Sequence, residues 1–427
     1  MSALIRAWAL GLVRLFYPVR IVSGRERIPQ AGPVIVVANH PNGLLDPLLV
    51  RLAVGQPVAF LAKSTFWQNP FFRVCMEAFS ALPAYRAHEA DTSRNEETFA
   101  AAAALLRAGG WMALFPEGKS HDATTLQPLK TGAARIAFAA VSAGAAVQVL
   151  PVGLLYADKE IFRSAVVVAV GEPFAVTPGA PEDRDAVRAL TDQIAERLAD
   201  VVLQAEDATL WRAFLAVAHW TGAADLDARE ARARQLAARW RELLATAPDT
   251  AESLSITVRR YARALESVGV RDPFTLETAV PGHELRGLGA LVLLAPAALL
   301  GAALAWLPYR AVRPAAIALS RGHADIVGTI KLLLGFVVLA ATYCAWAALA
   351  AGLAWGAGAP AAAGAALGAL VLGPLSGLAA LRFDERLALR REALHGISLR
   401  LFRPRLTLAL AERRQELTRA VLAALEG

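Results

Sequence analysis

His40 and Asp46 are the first residues along the chain whose types could do chemistry together. They stand in the stretch 34–50, VIVVANHPNGLLDPLLV. An imidazole titrates near neutral pH and can therefore take a proton as a general base. A carboxylate that reached the ring would fix its tautomer and stabilise the imidazolium. Five residues separate the two. That spacing does not share a helix face, so the loop has to fold back to join them. Asp46 followed by Pro47 also reads as an N-cap with proline at the first helical position. The two roles are compatible, because a capping carboxylate has a second oxygen.

The next stretch with chemical content is 115–122, FPEGKSHD. It follows an apolar run and reads as a strand ending in a tight turn, where Gly118 lets backbone amides face a ligand. Three cations stand at the ends of predicted elements, Lys63 and Arg86 after strands and Lys130 before a helix. Arginine suits bidentate binding of a phosphate, and Lys130 precedes a helix whose first amides could assist an anion. Taken alone, each cation reads equally as a solvated surface charge. His121 and Asp122 form a competing pair without a nucleophile or a metal set. There is no GxSxG elbow, HExxH, P-loop or Rossmann glycine pattern.

The elements that must position these groups follow from the hydrophobic pattern. Val34–Ala38 is a β-branched run that reads as a strand buried on both faces. It breaks at Asn39-His40-Pro41-Asn42-Gly43, so His40 and Asp46 belong to a loop at a strand's carboxyl end, where open α/β sheets build ligand sites. Further strands are predicted at 56–61, 81–85, 111–115, 147–155 and 166–170, with helices at 91–108 and 131–143. Residues 65–80, rich in aromatics, read either as a helix or as a membrane-facing loop. The sum is an α/β domain with a mixed, largely parallel sheet and flanking helices.

These residues carry a resemblance. Asn39-His40 with Asp46 resembles the first motif of the glycerolipid acyltransferases, in which four residues intervene between Asn-His and Asp; here one more intervenes. Phe115-Pro116-Glu117-Gly118 with Ser120 resembles the third motif, and Arg86 the arginine of the second. Leu150-Pro151-Val152 resembles the fourth, read here as lining. The longer first spacing and the Ser-His-Asp continuation are similar to the branch holding yeast-type glycerol-3-phosphate/dihydroxyacetone-phosphate acyltransferases. The likeness covers about residues 30–175.

The resemblance implies an O-acyltransferase with His40 and Asp46 as the catalytic pair. Arg86, Glu117, Gly118, Ser120 and Lys130, with Lys63 as a weaker candidate, would bind the glycerol phosphate. It implies no metal and no cofactor beyond acyl-CoA or acyl carrier protein as co-substrate. The acceptor would be glycerol-3-phosphate or a related glycerol phosphate; the alternative is 1-acylglycerol-3-phosphate (lysophosphatidic acid). A different class, a non-catalytic membrane-shaping or lipid-carrier protein, would leave the base and the cations idle.

Composition sets the surroundings. Of 427 residues, 56% are hydrophobic and 19% charged, with a formal charge of +7. The apolar excess is concentrated in three spans, 285–307, 332–355 and 360–381, each near or above the roughly 20 residues that cross a bilayer. The basic balance, without nucleic-acid signatures, points to anionic membrane lipid and not to nucleic acid. Cys75 and Cys344 offer no disulfide framework, which favours a reducing compartment.

The expected organisation is an interfacial or core-packing amphipathic helix and lead-in at 1–29 and the acyltransferase domain at 30–180. A helical arm at 181–284, a membrane region at 285–382 and a basic amphipathic cytoplasmic tail at 383–427 would follow. The catalytic part is expected to face the cytoplasm of a membrane, the inner membrane in a bacterium. Arg310, Arg313, Arg321 and Lys331 should stay inside with the tail. Pro296 is expected to break the first span into two half-helices, making it re-entrant or surface-lying.

Overall fold

A computed structural model describes residues 1–425 apart from 19, 86–94, 122, 124, 157–158, 165, 203–207, 224–225 and 270–280. Its elements up to residue 199 run as follows: α1 (Ser2–Phe16), β1 (Arg20–Ser23), β2 (Val34–Ala38), α2 (Leu45–Val54), β3 (Val58–Lys63), α3 (Pro70–Ala78) and β4 (Leu82–Ala84). After these come α4 (Asn95–Arg107), β5 (Trp111–Leu114), α5 (Gly132–Ser142), β6 (Gln148–Tyr156), β7 (Val166–Val170), β8 (Phe174–Ala175) and α6 (Arg184–Ala199).

The strands form one sheet in the order β1-β7-β6-β2-β5-β3-β4, with β8 paired to β6. β2 lies between β5 and β6 and runs parallel to both, with Val37 level with Leu114 and Pro151. The only antiparallel pairings among the described strands are those of β6 with β7 and β8. The carboxyl ends of β2, β5 and β6 therefore open on one edge.

The apolar run of β2 has a two-sided cause. Ile35 and Val37 pack with Met112, Leu114 and the helices α4, α5 and α6. Val34, Val36 and Ala38 point the other way, into a core with Val50, Phe60 and Leu150. Alternate residues feed opposite layers, so no position in the strand faces water.

Several expectations shift against these boundaries. β1 and β8 were not foreseen, being only four and two residues long. Residues 64–78 resolve into a 3₁₀ turn, Ser64–Gln68, and α3, with Asn69 accepting from the amides of Phe71 and Phe72. The break expected near residue 180 precedes a helix that shares the sheet's core: α6 is capped by Asp183 and buries Val187, Leu190 and Ile194 there. Val13 and Phe16 of α1 are buried with Leu45 and Leu49, while Leu4 and Leu15 stay exposed.

The chain divides into two compact units. The first comprises 1–211, 223–238 and 322–332; the second comprises 212–222, 239–321 and 333–427. Within the second, the helix Pro248–Ser267 packs on Pro404–Leu425.

Three helices in the described chain are long and apolar enough to cross a membrane, over Leu291–Ser320, Asp325–Ala357 and Ala359–Ala388. They mark a membrane protein, and their outward leucines, such as Leu293, Leu353 and Leu372, are exposed. The expected break at Pro296 does not occur: Pro281–Ser320 is one continuous helix that contains Pro296, Pro308 and Pro314. It packs along Ala359–Phe402, and a Cβ on Gly301 would fall 1.9 Å from the Ser376 carbonyl oxygen. That approach leaves no room for a side chain at position 301, the close packing that small residues give apolar helices.

Candidate active site

The loop after β2 begins with a side chain that behaves like backbone. Asn39 is buried, donates from Nδ2 to the Leu154 carbonyl (3.0 Å) and accepts from the Leu154 amide at Oδ1 (2.7 Å). It thus carries the pairing with β6 one residue past the strand and fixes where His40 emerges.

His40 and Asp46 come together. Nδ1 of His40 lies 2.8 Å from Oδ2 of Asp46, whose side chain is fully buried while that of His40 is 16% exposed. The helix N-cap expected of Asp46 is not what its carboxylate does. α2 starts two residues before the expected Pro47, at Leu45, and Leu44 is its N-cap. The Asp46 carboxylate instead turns back to the Asn42 amide (2.7 Å), which closes the loop, and to His40. Its other oxygen, Oδ1, accepts a hydrogen bond from the Tyr156 hydroxyl at the end of β6. The His40 ring stacks on Phe115 with centroids 4.2 Å apart. With Nδ1 held by the carboxylate, Nε2 is the nitrogen left for a substrate proton.

Tyr156 escaped the sequence reading. Burial, then the charge on Asp46, pushes its hydroxyl well above the ordinary tyrosine range, so it remains a donor to Asp46. The only available signal was a hydroxyl at the end of an apolar strand. Tyr17 belongs to the same network: its hydroxyl accepts from Asn42 Nδ2 (2.8 Å) and donates to the Lys159 carbonyl (2.8 Å).

The turn after β5 crosses the His40 loop through the His121 amide, which donates to the His40 carbonyl (3.1 Å). Glu117 is buried, and both of its oxygens accept backbone amides: His40 N–H at 2.9 Å and Gln127 N–H at 3.1 Å. Its carboxylate therefore pins the catalytic loop. His121 Nε2 lies 2.8 Å from Glu117 Oε2, at ion-pair distance but outside hydrogen-bond geometry.

Gly118 adopts φ +75°, and its own amide closes the turn onto the Phe115 carbonyl (2.9 Å). A Cβ there would come within 2.6 Å of Lys130 Nζ, which places the lysine side chain across the turn. Lys63 ends β3, two strands from β2. Ser120 donates its hydroxyl to Asp325. Arg86 and Asp122 lie outside the described residues.

A carboxylate-backed imidazole thus stands at the carboxyl ends of three parallel strands of an α/β domain. Residues 19–155 match the family described as Acyltransferase. An uncharacterized acyltransferase of Schizosaccharomyces pombe is 24% identical over 47% of this chain and 44% of its own. Glycerol-3-phosphate O-acyltransferase 2 of Saccharomyces cerevisiae is 37% identical over 36% of this chain and 22% of its own. The chain thus spans less than half of either relative. The crystal structure of a 1-acyl-sn-glycerophosphate acyltransferase, PlsC, from Thermotoga maritima is 20% identical, with a TM-score of 0.34 over 46% of this chain and 77% of that one. Over residues 19–155 the chain carries a domain of the Acyltransferase family.

Proposed function

We propose that this protein is a membrane-bound O-acyltransferase that moves a fatty acyl group from acyl-CoA or acyl carrier protein to a hydroxyl of glycerol-3-phosphate. The observation that carries the reading is the 2.8 Å contact between His40 Nδ1 and a fully buried Asp46. It leaves Nε2 to take the proton of the acceptor hydroxyl as that oxygen attacks the thioester carbonyl. The C–O bond forms, the tetrahedral intermediate collapses, the C–S bond breaks, and the imidazolium returns its proton to the departing thiolate. Asp46 stabilises the imidazolium in between and does not itself become protonated.

Lys130, with Arg86 and Lys63, would hold the acceptor phosphate, since cations at strand and helix ends suit an anion. The catalytic part would face the cytoplasm, and the basic tail would rest on anionic lipid.

Purified protein in lipid nanodiscs, given acyl-CoA and each acceptor in turn, tests the reading by release of free CoA thiol. Release that depends on glycerol-3-phosphate is expected. Release only with lysophosphatidic acid would move the function to the second acylation step. No release with either, from acyl-CoA or from acyl carrier protein, would remove the enzyme reading.

A further inference from the structure

Residues 321–331 join two apolar helices and read RGHADIVGTIK, basic at both ends with one carboxylate between. Residues 322–332 belong to the same compact unit as the active site. The helix Ala324–Ala354 carries Asp325 in its first turn, where free amides favour a negative side chain.

The start of that helix rests on the loop that separates His40 from Asp46. A Cβ on Gly328 would come within 2.8 Å of the Lys159 carbonyl oxygen and 3.0 Å of Asn42 Oδ1. A Cβ on Gly43 would approach Thr329 Oγ1 to 3.3 Å. Lys331 Nζ donates to the Glu160 carbonyl (2.7 Å), and Leu332 joins the core with Tyr17 and Leu45. Held at these points, Asp325 accepts the hydrogen bond of the Ser120 hydroxyl.

A serine hydroxyl has one proton and two lone pairs. With its proton committed to Asp325, Ser120 can face a substrate only as an acceptor. It then has nothing to give a phosphate oxygen or a carbonyl, but it can receive the hydrogen of an alcohol.

We propose that Asp325 is a specificity-determining positioning residue: it polarises Ser120 to read the second, unreacted hydroxyl of glycerol-3-phosphate. An acceptor with a carbonyl at that carbon, dihydroxyacetone phosphate, leaves two acceptors facing each other and is disfavoured. The proposal rests on the glycerol phosphate reading above. It assigns a task to a residue outside the matched domain, 205 positions after the serine it holds.

The experiment compares kcat/KM for the two acceptors with the full-length protein in nanodiscs, read by CoA release. Wild type should favour glycerol-3-phosphate by at least about 10-fold, the ratio that 1.4 kcal/mol gives. Asp325→Asn presents an amide that can donate to Ser120 and free its proton. It should bring the ratio to within about threefold, through a higher KM for glycerol-3-phosphate with kcat little changed. Asp325→Ala should narrow the ratio as well. Equal use of the two acceptors by wild type overturns the proposal even if neither variant folds. So does a parallel loss on both acceptors that preserves the ratio. Failure to acylate either acceptor, or lysophosphatidic acid, would be failure of the enzyme reading itself and so a separate outcome.

Discussion

His40 works only if one ring nitrogen carries its proton toward Asp46 while the other remains basic. Three donors converge on the Asp46 carboxylate: the imidazole, the Asn42 amide and the Tyr156 hydroxyl. Tyr156→Phe removes one of them and loosens the carboxylate that orients the imidazole. Turnover should fall about 10-fold with the acceptor KM nearly constant. Normal turnover would show that Tyr156 only packs. His40 and Asp46 were legible because one loop of sequence contains both, and their partners were not. Tyr156 stands 110 positions beyond Asp46. Glu117, implied by resemblance to hold substrate, spends both oxygens on loop amides, a task visible only once two strands lie side by side.

At the scale of elements, the site depends on where β2 lets go of β6. Asn39 continues the ladder with its side-chain amide. Asn39→Ala leaves the Leu154 amide and carbonyl buried without those partners and should cost about 2 kcal/mol of stability. Thermal unfolding in detergent would show it as a lowered midpoint, and an unchanged midpoint would mean the loop does not need this tie. The apolar strands were readable because both faces of the sheet are covered and their residues are almost all apolar. Helix starts were less so. The proline after Asp46 suggested a cap, whereas the fold directs that carboxylate back to the loop. α6 reads from its charges as part of an exposed arm, yet one stripe of it belongs to the core of the sheet.

For the whole molecule, the two units meet the sequence differently. Three apolar spans were evident from composition, but the task of the short basic segment between the first two was not. Residues 322–332 belong to the compact unit that holds the site. Arg310, Arg313 and Arg321, with the arginine-rich tail, favour the cytoplasmic side for it. In a variant with Cys75 and Cys344 replaced, a membrane-impermeant thiol reagent applied to intact cells should label a cysteine at Gly358. It should not label one at His323. Labelling at His323 from outside would reverse the orientation.

The central claim is that His40 is the base of an acyl transfer to a glycerol phosphate. Its most direct test is CoA release from acyl-CoA in the presence of glycerol-3-phosphate, compared among wild type, His40→Ala and His121→Ala in nanodiscs. The account predicts a loss of at least about 100-fold for His40→Ala. His121→Ala should retain most of the turnover, since that ring sits beside Glu117 and not beside Asp46. Near-normal release from a folded His40→Ala protein, with release abolished by His121→Ala, would contradict it.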